Sequence, residues 1–207
     1  MGRIDMTSYY INAKNHLKKS GYEKEIEWQR SLVFNDFEES DLLRELGWVI
    51  MCSGFREDIV RNKFNYISLC FCDWESAEVI VKYRWHCINT GLHAIGNKRK
   101  FEAIVNSAVM IKEYGFDKIK EQILCSPIDT LKKFPYIGNI TAFHLAKNLG
   151  FPIAKPDRHL VRLANATGFG DVQSLCENIA QESGDPIQVV DIILWRYAKL
   201  EGIQHDQ

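Results

Sequence analysis

Leu131 to Leu163 reads LKKFPYIGNITAFHLAKNLGFPIAKPDRHLVRL. It opens on a tight turn, Phe134-Pro135-Tyr136-Ile137-Gly138, where Pro135 fixes φ and Gly138 permits backbone geometry that a bulkier residue resists. From about Asn139 to Asn148 the apolar spacing is that of an amphipathic helix, stopped by Gly150 and Pro152. The chain then crosses Lys155-Pro156 to Asp157. A proline pushes the residue before it, here Lys155, out of the α region, so the chain enters extended and Asp157 falls at or near the N-cap of a further helix, Arg158 to about Ala166. A hairpin and a carboxylate thus stand about nineteen residues apart.

The two ends of this stretch offer different chemistry. The amides after Gly138 are the unpaired donors of a helix N-terminus, suited to a phosphate. Lys132 and Lys133 add positive charge just before the turn. A carboxylate following a phosphate-gripping hairpin suits chemistry on a nucleotide. Taken singly, each feature has a plain reading: an Asp at a helix start is most often only a cap, and a Pro-x-x-Gly turn only a connector. The order and spacing of the pair are what point to function.

The segment resembles the helix-hairpin-helix DNA glycosylases. Their hairpin reads Leu-Pro-Gly-Val/Ile-Gly, followed by Thr-Ala, a Pro/Gly loop and an Asp. The matching residues here are Phe134, Pro135, Tyr136, Ile137, Gly138, Thr141, Ala142 and Asp157. The run Asp157-Arg158-His159-Leu160-Val161-Arg162-Leu163 looks like the Asp-Thr-His-Ile/Val-x-Arg-Val run of the endonuclease III branch. The likeness is sharp over about thirty residues and diffuse elsewhere. Tyr136 stands where the family has its first hairpin glycine.

The resemblance implies an all-α, two-lobed fold, one lobe of about residues 41–134 and the other of about 1–40 plus 135–207. It implies a DNA N-glycosylase that flips a base out of double-stranded DNA, with Asp157 stabilising the oxocarbenium-like sugar and orienting water. Lys133, Tyr136, Gly138, Ile140, Thr141, Arg158 and His159 become DNA contacts. Branches that also cut the strand carry a Lys at the position of Ile140, and an isoleucine forms no Schiff base. The expectation is therefore monofunctional excision that leaves an abasic site, with Lys133 and Lys155 as the remaining candidate amines. A monovalent cation at the hairpin carbonyls is a further implication. No four-cysteine group follows the Asp157 helix, so the iron–sulfur cluster of the endonuclease III branch is not expected.

Outward from this stretch the rest reads as helices: about 9–19, 23–33, 42–52 with Ser40 or Asp41 as cap, 58–72, 77–87, 97–113 and 116–125, with another beginning near Pro127. Beyond Ala166 come a helix capped by Ser174 and a last one from Ile187 to Leu200. Asn89-Thr90-Gly91 reads as a turn, and nothing reads as a strand. In the family the loop after the 42–52 helix inserts a side chain into the gap left by the flipped base. Phe55 is the candidate wedge, ahead of Ser53 and Arg56; the plain alternative packs Phe55 in the core. Asn97-Lys98-Arg99-Lys100 resembles an Asn-x-Lys segment of the family. Bases at a helix start oppose the dipole preference, which makes Lys98 and Arg99 candidate phosphate contacts. Trp48 is the candidate stacking residue of a base pocket and Glu57 a candidate base-reading carboxylate, though aromatics at helical spacing most often serve the core.

Composition bounds these readings. The chain has 207 residues, is 46% hydrophobic and has a formal net charge of −1. That length suits one sizeable core or two small lobes. The charge is unevenly spread: Asn97–Arg162 holds twelve basic against six acidic residues, and Gly21–Asp58 four against ten. No window reaches the apolar length of a membrane span, and the polar N-terminus lacks a signal-peptide core. Met1-Gly2 suggests myristoylation, but Asp5-Met6 fits that motif poorly. The six cysteines, Cys52, Cys70, Cys72, Cys87, Cys125 and Cys176, fall mostly in apolar helical patterns and lack a zinc spacing, as reduced thiols of a cytoplasmic or nucleoid-associated monomer do. Two variants compete: a glycosylase acting on modified bases of foreign DNA, and a non-catalytic helix-hairpin-helix DNA binder. A helical adaptor with no nucleic-acid role is the third possibility, against which the Lys98–Lys100 and Lys132-Lys133 groups argue.

Overall fold

The computed structural model describes residues 5–200; the Met1-Gly2 reading lies outside them. Among the described residues there are thirteen α-helices and no strand. The chain divides into two compact units, one of Met1–Val33 with Gly150–Gln207 and one of Phe34–Leu149.

The first unit gathers α1 (Met6–Lys19), α2 (Glu23–Ser31), α11 (Arg158–Thr167), α12 (Val172–Ser183) and α13 (Ile187–Leu200). Its centre is α13, which buries Val189, Val190, Ile193 and Leu194 and is covered nearly all round. Charged groups buried with it are paired. Arg196 makes a forked pair with Glu25 at 2.7 and 3.0 Å. Asp185, ahead of α13, accepts from Tyr10, Lys14 and Arg30 at 2.5, 2.5 and 2.8 Å, tying α1 and α2 to the start of the last helix. These hydrogen bonds hold the Asp185 carboxyl below its usual range even though burial alone would raise it.

The second unit holds α3 (Glu39–Cys52), α4 (Glu57–Cys70), α5 (Ala77–Lys82), α6 (Arg84–Gly91), α7 (Lys98–Tyr114), α8 (Phe116–Cys125), α9 (Pro127–Leu131) and α10 (Asn139–Asn148). The apolar α3 is central, with Leu42, Leu43, Leu46, Ile50 and Met51 all buried. Its cap is Glu38, whose amide donates to Asp41 Oδ2 at 3.0 Å, slightly earlier than Ser40 or Asp41. The helix expected over 77–87 breaks at Tyr83, and α6 continues through Asn89-Thr90-Gly91 instead of turning there. Gly91 serves packing: a Cβ would stand 2.8 Å from the Phe101 ring. Likewise Asp171, not Ser174, caps α12, with the Ser174 amide donating to it at 2.7 Å.

The division differs from the lobes expected at 41–134 and 1–40 plus 135–207. The hairpin and α10 belong with α3, because the buried Asn148 amide donates to the buried Glu45 carboxylate at 2.8 Å. Burial raises the Glu45 pKa, against the pull of Arg44 and Asn148. Residues 34–40 join the same unit because buried Phe37 meets Phe116 edge-on, with 6.2 Å between centroids.

Candidate active site and nucleic-acid interface

In the first unit the expected carboxylate has a defined setting. Asp157 is the N-cap of α11, with φ −82° and ψ 163°, and its Oδ1 accepts from the amides of His159 and Leu160 at 2.9 and 3.2 Å. Its other oxygen accepts no hydrogen bond among the described residues, and the residue is half-buried. Neighbouring elements fix the loop ahead of it. Gln173 of α12 accepts from the Ala154 amide at 2.8 Å and donates to the Pro152 carbonyl at 3.2 Å. Asp191 of α13, almost fully buried, accepts from the Lys155 amide at 2.7 Å. A loop stapled at three successive points delivers Asp157 on rigid backbone, as a reacting group requires. Arg158 is exposed and donates to Nε2 of His159 at 3.4 Å, so both lie beside the carboxylate at the start of α11.

In the second unit the hairpin is anchored by buried Phe134 and Ile137. The Ile137 amide donates to the Phe134 carbonyl at 3.1 Å and closes the turn. The left-handed residue is Tyr136, at φ 64°, and not Gly138, whose φ −101° and ψ −170° any residue adopts. A tyrosine therefore holds the conformation that glycine takes most readily, at a cost of roughly 1–2 kcal/mol. Gly138 instead keeps the start of α10 bare, since a Cβ there would meet only Thr141 Oγ1 at 4.0 Å. Thr141 Oγ1 accepts from the Gly138 amide at 2.7 Å. The amides of Asn139, Ile140 and Thr141 fall in the first helical turn and have no partner within the helix. Tyr136 and Ile140 are both 45% exposed beside them, and Lys133 is exposed at the turn's entrance. This surface can take a phosphate.

The bases at the start of α7 have three separate fates. Lys98 is exposed and lies 3.5 Å from Glu102 one turn on. Arg99 is exposed to solvent. Lys100 points inward and is only 4% exposed. Its ammonium donates to the carbonyls of Ile50, Met51 and Ser53 at the C-terminus of α3. The same ammonium lies 5.2 Å from the Phe55 ring centroid and 5.6 Å from that of Tyr136. Burial pushes its pKa down to about 8. The cationic start of α7 is thus explained in part by an internal partner. Its inward direction, though not its partners, is legible in the sequence: Lys100 shares a face with Ile104 and Ala108, at i+4 and i+8.

Phe55 is half-buried in the turn after α3, with Lys100 against its ring. Trp48 is also half-buried; it meets Phe64 edge-on at 5.1 Å, and Arg61 lies 5.4 Å from its ring centroid. Arg61 pairs in turn with Glu57, with Nε 2.7 Å from Oε1. The structure therefore joins Trp48 and Glu57 through Arg61, in an arrangement where the cation occupies both the carboxylate and a face of the ring. Among the described residues, no group of three or more His, Cys, Asp or Glu is arranged to hold a metal ion, and no helix is long and apolar enough to cross a membrane.

No protein-family model and no curated protein matches the chain. Among solved structures it is similar to the 8-oxoguanine DNA glycosylase of Thermotoga maritima, with a TM-score of 0.65 and 18% identity over 96% of this chain and 98% of that one. It is also similar to the Methanocaldococcus jannaschii 8-oxoguanine glycosylase/lyase in complex with DNA containing 8-oxoguanine, with a TM-score of 0.54 and 18% identity over 93% and 97%. The chain has the helical fold of these DNA glycosylases, over nearly its whole length.

Proposed function

We propose that this chain is a monofunctional DNA glycosylase: it flips a damaged or modified base out of duplex DNA, hydrolyses its N-glycosidic bond and leaves an abasic site. The observation that carries the reading is Asp157, with one oxygen tied to two α11 amides and the other uncommitted, on a loop stapled by Gln173 and Asp191. A cap alone would not require that stapling. A negative oxygen held beside a sugar stabilises the positive charge that builds as the glycosidic bond breaks, and accepts a proton from the attacking water. The fixed geometry means that this stabilisation costs no reorganisation as the bond breaks. At the hairpin, the amides of α10 and Lys133 bind phosphate, with Lys98 and Arg99 adding charge from α7. A monovalent cation on the hairpin carbonyls is part of the same reading.

The absence of strand cleavage follows from Ile140, which has no amine. Lys100 is no substitute, because its ammonium is buried on three carbonyls. The two structural relatives are described as acting on 8-oxoguanine, so that base heads the substrate panel, with alkylated purines, uracil and hydroxymethylated or glucosylated pyrimidines beside it.

The test compares wild type with Asp157→Asn on these duplexes, with and without alkali. Alkali-dependent cleavage of one substrate by wild type, lost in Asp157→Asn, is the expected result. Cleavage without alkali would point to an amine elsewhere, Lys133 or Lys155. No product on any substrate, with salt-sensitive duplex binding intact, would favour a non-catalytic DNA binder.

A further inference from the structure

Lys100 joins three segments of the second unit that have no covalent reason to keep a fixed spacing. It leaves the first turn of α7, ends among the last carbonyls of α3, and lies against Phe55 of the next turn and Tyr136 of the hairpin. Helix capping explains only part of this arrangement. The Ser53 amide donates to the Val49 carbonyl at 3.1 Å, and because Ile50 and Met51 are fully buried their carbonyls need a donor from within the protein. Here a lysine is withdrawn almost wholly from water to supply them. A lysine offers three donors only as the ammonium, and the carbonyls of Ile50, Met51 and Ser53 account for all three. The charge is also enclosed by two rings, each in a segment that the reading above turns toward DNA.

We infer that Lys100 is a positioning residue: its ammonium locks the Ser53-Gly54-Phe55 turn to the hairpin at Tyr136, so that the wedge and the phosphate grip keep one spacing. This rests on the glycosylase reading for its consequence in DNA, though not for the lock itself. A wedge at fixed distance from the grip favours a duplex with a gap in its stack over an intact one. Without the lock, phosphate binding persists but the discrimination falls.

The experiment uses two duplexes of about 25 base pairs, identical except that one carries a tetrahydrofuran abasic analogue, which has no base to unstack. The ratio of their Kd values is measured for wild type, Lys100→Met and Lys100→Arg, each checked for native circular dichroism. Lys100→Met keeps the stem and removes the charge. It is expected to lower the preference for the gapped duplex about tenfold while intact-duplex affinity changes less than about threefold. Lys100→Arg keeps a charge but cannot place it as a point among three carbonyls, so it is expected to fall between the two. An unchanged preference in folded Lys100→Met overturns the inference. If Lys100→Met does not fold, an unchanged preference in Lys100→Arg does the same.

Amide hydrogen exchange in the free protein separates this inference from the glycosylase reading. Exchange at Gly54 and Phe55 should rise at least about tenfold in the variant if the lock exists. A wild type without gap preference but with this exchange response would sink the DNA role and keep the lock. Unaltered exchange would sink the lock whatever the DNA result.

Discussion

Replacing Asp185 by asparagine tests the polar node that organises the first unit. The carboxylate is buried and accepts three hydrogen bonds, from Tyr10 and Lys14 on one oxygen and from Arg30 on the other. Two of these come from cations whose side chains are 26% and 33% exposed, so water screens them and each contributes less than a fully buried pair would. Asparagine keeps the shape but loses the charge and presents an NH₂ to one of the two donor sets. Losing one hydrogen bond to a charged group and weakening the others amounts to about 2–3 kcal/mol, toward the low side of what breaking a buried pair costs. For a chain of this size that corresponds to a fall in Tm of roughly 4–12 °C. The sign of the pH dependence follows from the direction of the shift. Because the folded pKa is lowered, the contribution is complete above the unfolded value and is lost as pH falls through the folded one. Urea unfolding at pH 7 and in steps down through the carboxylate range should therefore show the gap between wild type and Asp185→Asn narrowing toward acid. A gap below about 0.5 kcal/mol at neutral pH, or one unchanged by acid, would refute this account of the node.

Three further outcomes can be measured independently. Gly47→Ala would put a Cβ 2.5 Å from the Trp74 ring and is expected to destabilise the second unit by about 1–3 kcal/mol in urea unfolding. Tyr136→Gly is expected to change stability by less than about 1 kcal/mol, because relieved strain and added chain entropy oppose each other, whereas Tyr136→Val should cost about 1–2 kcal/mol more. Lys133→Ala and Arg99→Ala should each reduce the slope of log K against log salt for duplex binding by about 0.9, and Lys100→Met should leave the slope nearly unchanged.

What was legible in the sequence was local chemistry. Pro135, Gly150 and the Lys155-Pro156-Asp157 run act through their own backbone, so the hairpin, the helix stop and the Asp157 cap are legible without any tertiary contact, whereas the left-handed position at Tyr136 instead of Gly138 is not. What was hidden depends on partners far along the chain. Nothing near Lys100 says that its ammonium meets carbonyls fifty residues earlier, and a basic run reads by default as a solvated or phosphate-facing surface. Trp48 was legible as a large aromatic late in a core helix. That Arg61 lies on its ring and also holds Glu57 depends on how α4 packs against α3. The stapling of the Asp157 loop was equally invisible, because Gln173 and Asp191 carry no local signature of their task.

Two departures from the glycosylase hairpin that this segment resembles carry one physical consequence together. Tyr136 stands in place of a glycine and Ile140 in place of a lysine, and both are 45% exposed at the start of α10. The first adds a half-exposed ring at a left-handed position. The second removes a charge and an amine. The hairpin surface thereby gains apolar area and loses a cation beside the helix N-terminus, so under the proposed function its hold on a phosphate would lean on oriented amides and on Lys133. Amide donors fix a phosphate by direction more than by long-range attraction, and salt screens them less than free charges. On that proposal such a hairpin would select backbone geometry over bulk charge. That is consistent with a chain whose overall charge is −1 and whose basic residues are concentrated in the 97–162 segment.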